Sequence, residues 1–536
     1  MWKTIDAAEA KNRIYLPDEF AFVDVREAGE FGEGQALFSI NIPYSRLELE
    51  FQRRQIRQAI PITLIDGGNG IAEKAAQQLQ DQHFSDISIV DGGIRAWEQA
   101  GFNLFKGVHV PSKAFGELVE IENGTPHISA QQLQELKQGD EEFVILDGRT
   151  PEEYRKMTIP GARCCPNAEL GHRLSQIVAD SSTKIVVNCA GRTRSIIGAQ
   201  SLIHMGFENP IVALENGTQG WQLAGLDLEF GTGPEPFSNF SNAQIELSRK
   251  RGARLRKSFD IPTIQLSDLK QWLSDKERTT YLLDVRTVEE FNDGHFKPAI
   301  HAPGGQLVQA TDNWITVRGA RTVLVDDTGL RSSATAMWLR QMGHDVYVCA
   351  LDENKIEADA WIGGATASGG DEETNVFRIP NSLPEVSAKE LGKLQNDAIQ
   401  IIDLRSSMDF RECHLEGAMW SIRPKISQCN VDMSKDILLI SETKSIAELA
   451  AIDLLSLGAQ KICTSHSGPS QWKQAGLTVT STENNPPDED AIDYLFFVHD
   501  RHKGNLAAAQ AYLDWETGLV EQLDAHERSV FKIKTL

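Results

Sequence analysis

Short apolar runs that end in Asp-x-Arg punctuate this chain. AFVDVREAGEF, VILDGRTPEEY, YLLDVRTVEEF and IIDLRSSMDF each read as a strand closing on an aspartate and an arginine. The pairs are Asp24 with Arg26, Asp147 with Arg149, Asp284 with Arg286 and Asp403 with Arg405. An extended stretch follows each, starting at Ile40, Ile159, Ala299 and Glu416. A second apolar run then leads through a loop into helical spacing: ITLIDGGNGIAEKAA, KIVVNCAGRTRSIIGAQSL, TVLVDDTGLRSSATA and ILLISETKSIAELA. Asp24 to Asp66, Asp147 to Cys189 and Asp284 to Asp326 each span 42 residues, and Asp403 to Ser441 spans 38. Three copies close on a glycine turn leading to Trp97, Trp221 or Trp472, an ending that VCALDENKIEADAW in the third copy fits only loosely.

Such regularity predicts four copies of one α/β domain, because a repeat of this kind reports one folding unit used several times. Strands alternating with helices predict in each copy a mostly parallel sheet with helices on both faces. The boundaries fall at 1–112, 122–235, 258–368 and 383–482, with a helical tail over 488–536. SGGDEETN and TENNPPDED mark the later joints. SRKRGARLRK, from Ser248 to Lys257, reads as a solvated linker helix, with docking on an acidic neighbour or added positive potential near the cleft as the alternatives. The tail carries an apolar stripe at Leu495, Phe496, Val498, Leu506, Tyr512, Leu513, Leu519 and Leu523, which is expected to pack on the copies or on a second subunit.

Composition narrows the class. A net charge of -23 over 536 residues argues against a nucleic-acid or membrane-surface role. Seven thinly spread cysteines do not read as a disulfide framework. No signal peptide is visible at MWKTIDAAEA, and no stretch approaches the roughly 20 apolar residues of a membrane span. A cytoplasmic protein is the expectation.

The chemistry concentrates at Cys189. A strand ends in this cysteine, Ala190 and Gly191 follow, then Arg192, Thr193, Arg194 and Ser195 open a helix. That order aims backbone N–H groups and the positive end of a helix dipole at the sulfur. A free thiol ionises near pH 8.5, and helix N-termini and cations lower that value. The loop therefore suits a thiolate nucleophile, with residues 190–195 as the binding site for an anion and the Arg194 fork aimed at its oxyanion end. Arg192 either does likewise or faces solvent.

The Asp-x-Arg strand ends, the pairs Glu153–Tyr154 and Glu290–Phe291, the IPGA turn at Ile159–Ala162, the cysteine loop and the glycine-to-tryptophan ending together resemble the rhodanese (sulfurtransferase) family, over residues 1 to about 480. Four copies in one chain are similar to the tandem bacterial sulfurtransferases. The resemblance implies a thiosulfate sulfurtransferase: Cys189 takes sulfane sulfur as a persulfide and passes it to cyanide, a thiol or a protein acceptor. No cofactor, metal, nucleic acid or membrane is implied, and a homo-oligomer stays open. The other copies are expected to be silent, with Asp66, Asp326 and Ser441 at the cysteine position. Related phosphatase domains place an arginine six residues after the cysteine; here Ser195 stands there and Arg194 comes one earlier, the shorter sulfurtransferase loop. Ala190 departs from family patterns with a basic residue after the cysteine, and two arginines depart from the uncharged loop of mercaptopyruvate sulfurtransferases. Thiosulfate is thus the leading donor, mercaptopyruvate the alternative, and a sulfur-carrier or scaffold role the competing reading.

Other residues carry plainer expectations. Arg149 is expected to pair with a following glutamate. Of Cys164 and Cys165, one is expected to face the core and one the cleft, and a small buried apolar role is expected ahead of a resolving thiol. Trp221 is read as a core residue or a wall of the pocket, and His172 and His204 show no metal spacing.

Overall fold

The computed structural model describes residues 2–349, 361–363, 383–394, 399–500 and 505–536. The chain divides into two compact units. One comprises Met1–Arg13, Ala21–Gly107 and Glu373–Phe496; the other comprises Ile14–Phe20, Val108–Glu372 and Phe497–Leu536. The first thus carries the first and fourth copies, and the second carries the second and third copies with the end of the tail.

In the second copy the sheet order is His127–Ile128, Ile211–Leu214, Lys184–Asn188, Phe143–Asp147, Ala162–Cys164, and every neighbouring pair is parallel. The first and third copies repeat that five-stranded order. The fourth keeps four strands, and the fifth is reduced to an isolated parallel bridge between Glu385 and Thr464. The central strands are apolar on both faces, as parallel sheets covered by helices require: Ile185, Val186 and Val187 are fully buried. The third copy's ending falls partly outside the described residues, which resume with Trp361–Gly363 pairing antiparallel to Gly294–Phe296. The joint SGGDEETN lies outside them altogether.

The Asp-x-Arg signature is structural in all four copies. Arg26, Arg149, Arg286 and Arg405 each grip the aspartate two residues before, at 2.6–2.7 Å, and give another N–H to the carbonyl eight residues on, at Gly34, Met157, Gly294 and Cys413. Arg149 therefore ties the strand end to the next loop as expected, but its carboxylate partner is Asp147, not a following glutamate. These pairs are enclosed, so deleting one partner would cost about 3–5 kcal/mol.

The basic run lies on the helix Asn242–Ser258, which packs one face within its unit through Ser248, Gly252 and Leu255 and leaves Arg249, Lys250, Arg254 and Lys257 exposed. Ser248 meets His172 at 3.1 Å, Gly252 abuts the Gly329 carbonyl so closely that a Cβ would lie 2.5 Å from it, and Arg256 bonds Gly329 and Ser333. Both Cys164 and Cys165 are buried, so neither faces a cleft. Trp221 sits in the second copy's core with its indole N–H on the Asp227 carbonyl. In the tail, Leu495, Tyr512, Leu513 and Leu519 are buried, whereas Leu506 is exposed. Among the described residues no helix is long and apolar enough to cross a membrane.

Candidate active site

Cys189 follows the last residue of Lys184–Asn188, a strand flanked on both sides by parallel neighbours. Ligands of parallel α/β sheets bind at such carboxyl ends. Helix Thr193–Met205 begins four residues later, so the loop is short and brings the Ser195 N–H to the sulfur. The glycine turn completes it from below. Asn216 and Gly217 adopt φ of 61° and 53°, and a Cβ on Gly217 would sit 2.3 Å from the Cys189 carbonyl oxygen. That carbonyl accepts the Thr218 N–H at 2.8 Å. The glycine before the tryptophan is thus required by close backbone approach as well as by its conformation.

Cys189 is 2 % exposed, and its sulfur accepts the Ser195 hydroxyl at 3.0 Å. Burial pushes the thiol above its ordinary value; Arg194 and the Ser195 hydroxyl and N–H pull it down, and the Glu516 carboxylate pushes it up. The sequence expectation of an easily ionised thiol counted the arginines and the helix start, but it had no view of the burial or of Glu516.

Both arginines are already engaged. Arg194 forms a two-pronged pair with Glu153, each N–H···O at 2.7 Å, and it holds that carboxyl down at about 2 against the effect of burial. Sequence reasoning aimed this fork at a donor; the structure gives it to Glu153. Arg192 does not face solvent: it is buried against Glu117 at 2.8 and 2.9 Å and against Glu120. Thr193 gives its hydroxyl to Glu516 at 2.7 Å, and the other Glu516 oxygen lies over Gly191 with no hydrogen-bond partner.

A cavity of about 310 Å³ opens over residues 189–194. Its walls include Lys113 and His109 before the second copy, Gln306, Gln309 and Asn313 from the third, and Tyr512 and Glu516 from the tail. Ser195 supports the sulfur without lining the cavity. Sequence reasoning missed Lys113, Gln306, Tyr512 and Glu516, which no local motif marks. Trp221 is not among the lining residues. Among the described residues no three His, Cys, Asp or Glu side chains are grouped to hold a metal.

Three segments, 6–100, 129–224 and 265–353, match the rhodanese-like domain. The chain belongs to the rhodanese family. A rhodanese of known structure, the thiosulfate sulfurtransferase of Pseudomonas aeruginosa, superposes over the full length of both chains with a TM-score of 0.87 and 37 % identity. The thiosulfate sulfurtransferase GlpE of Pseudoalteromonas translucida is 32 % identical over 98 residues, 18 % of this chain and 90 % of that protein. The fourth copy lies outside the matched segments but keeps the rhodanese strand order over its four strands.

Proposed function

We propose that this rhodanese is a sulfurtransferase that carries sulfane sulfur from thiosulfate, or a similar anionic donor, through a persulfide on Cys189 to cyanide or a thiol. The observation that carries this reading is a buried cysteine at a parallel-strand end, with the Ser195 hydroxyl and N–H on its sulfur, under an open cavity. Likeness over the full chain to a thiosulfate sulfurtransferase supports it. In the first step the Cys189 thiolate attacks the outer sulfur of thiosulfate. The new Cys–S–S bond forms as the old S–S bond breaks, and sulfite leaves with the electron pair. In the second, the acceptor thiolate attacks the outer persulfide sulfur and restores the Cys189 thiolate; with cyanide the product is thiocyanate. The Ser195 hydroxyl and the loop N–H groups stabilise the anion in each resting form. Because burial pushes the thiol up, loading is expected to rise with pH up to and beyond the ordinary thiol value.

The third copy contributes Gln306, Gln309 and Asn313 to the cavity wall, which favours a role within the enzyme over a free-standing scaffold. All seven cysteines are unpaired, which suits a reducing cytoplasm. The test is intact mass after incubation with thiosulfate, for the native chain and for Cys189→Ser. The native chain is expected to gain the mass of one sulfur atom, lost again on adding cyanide, and the variant none. A native chain that gains nothing from thiosulfate or mercaptopyruvate overturns the reading.

A further inference from the structure

Four cationic or imidazole side chains line the cavity, and three are already paired. Arg192 is held by Glu117 and Glu120, Arg194 by Glu153, and His109 by Asp312 at 2.7 Å. Lys113 differs. Among the described residues no carboxylate lies within ion-pair distance of its ammonium, whose one hydrogen bond goes to the Val108 carbonyl. The rings of Tyr512 and Trp515 lie 5.5 and 5.1 Å from it, and the residue is only 4 % exposed. An ammonium carries three N–H groups, so two remain for a ligand. A buried cation without a counter-ion is costly, and its field on an anion brought beside it is strong.

The placement is built into one helix. On Val110–Asn123, Lys113, Glu117 and Glu120 follow at spacings of four and three and share a face. Glu117 and Glu120 fix Arg192 of the catalytic loop, so the same face carries Lys113 to the cavity beside that loop. Gly116 makes the approach close: a Cβ there would lie 2.8 Å from the Thr193 side chain.

We infer that Lys113 receives the anionic end of the sulfur donor, the sulfonate oxygens in the case of thiosulfate, and that the loop arginines serve the thiolate and the loop instead. The assignment rests on the sulfurtransferase reading only for the identity of the anion. Glu516 reinforces it, since its carboxylate over Gly191 disfavours a second negative group on the loop side of the cavity.

Full-length Cys189→Ser, which cannot be loaded, allows binding to be measured without turnover. Titrated calorimetrically with thiosulfate, it is expected to bind, and adding Lys113→Met is expected to weaken Kd by roughly tenfold or more. Lys113→Arg keeps the charge on a similar stem and is expected to stay within about threefold of the parent. Added salt should weaken binding to the Lys113 chain and barely affect the Met variant. Equal Kd for the Lys and Met chains, or no binding by Cys189→Ser, overturns the assignment. If the native chain takes up sulfur while Lys113→Met does so at unchanged KM, the assignment fails and the transfer reading stands. If Lys113-dependent binding is found but the native chain never gains sulfur, the anion site stands and the transfer reading fails.

Discussion

The second and third copies carry the same loop with different occupants. Cys189 corresponds to Asp326, Arg194 to Arg331, Ser195 to Ser332, and Glu153 to Glu290. Arg331 pairs with Glu290 as Arg194 pairs with Glu153, so the arginine–glutamate clasp persists in a copy that has no nucleophile. Ser332 donates to the Asp326 carboxylate at 2.6 Å, where Ser195 donates to the Cys189 sulfur. Asp326 also takes the Gly329 and Arg331 N–H groups at 2.9 and 3.2 Å and the Thr328 hydroxyl at 3.1 Å. The first copy does the same more simply, with Asp66 accepting from Gly68 and Ala72. The loop is therefore an anion receptor in its own right. Where the chain supplies a carboxylate, the receptor is filled by its own side chain; where it supplies a thiol, the Ser195 hydroxyl and N–H meet the sulfur instead. Charge around the loop differs too. The residue after the first is Ala190 in the second copy and Asp327 in the third, and Arg331 touches Glu169, Glu290 and Asp327 at once.

Exchanging the occupants gives the largest effect. Cys189→Asp is expected to fill the second loop as Asp326 fills the third, with sulfur uptake reduced by roughly a thousandfold or more. The converse, Asp326→Cys placed in the Cys189→Ser chain, is expected not to restore uptake, because Asp327, Glu169 and Glu290 remain around Arg331 and disfavour a thiolate. Intact mass after thiosulfate reads both. Uptake by Asp326→Cys would break the comparison and show that the thiol alone decides activity.

That contrast also marks what could be read from the residues alone. The repeat, the sheet class and the cysteine loop follow from local patterns of apolar runs, turn glycines and helix starts. The count of six from Cys189 to Ser195 was visible, and the structure gives that serine a bond to the sulfur. The counter-ions were not visible. Arg192-Thr193-Arg194 reads as an open positive loop until Glu117, Glu120 and Glu153 close on it from helices whose acidic residues resemble any solvated face. Glu516 stands 323 residues from Thr193, and nothing in the tail's apolar stripe marks it as part of the site. Hydrophobic periodicity reports which face of an element is buried, not which distant element covers it.

Glu516 sharpens the comparison at the next level, because it brings to the thiol loop a carboxylate from outside. Its charge pushes the Cys189 thiol up, in the same direction as burial. The thiolate is the reactive form, so reactivity is gained as pH rises through the folded-state value. Glu516→Gln removes the charge and keeps an acceptor for Thr193, so the midpoint of alkylation against pH should move down. Near neutral pH, alkylation of Cys189 by iodoacetamide should quicken by about three- to tenfold. An unchanged or raised midpoint would separate Glu516 from the thiol.

The smallest effect compares the two serines. Ser195→Ala removes one donor from a sulfur that keeps the residue-195 backbone N–H, a loss of about 0.5–1.5 kcal/mol for the anion. The alkylation midpoint should rise, and sulfur uptake near neutral pH should slow by about two- to tenfold. Ser332→Ala removes the equivalent donor from Asp326, which retains three others, so uptake at Cys189 should stay unchanged and the chain should lose about 1 kcal/mol of stability or less. Stopped-flow alkylation and denaturant melts measure the two. The informative result is the ratio of uptake to alkylation in Ser195→Ala. If both slow equally, the serine acts only on the thiolate. If uptake slows further, the hydroxyl also stabilises charge that forms during sulfur transfer, and the receptor common to both copies becomes part of catalysis in the one that kept its thiol.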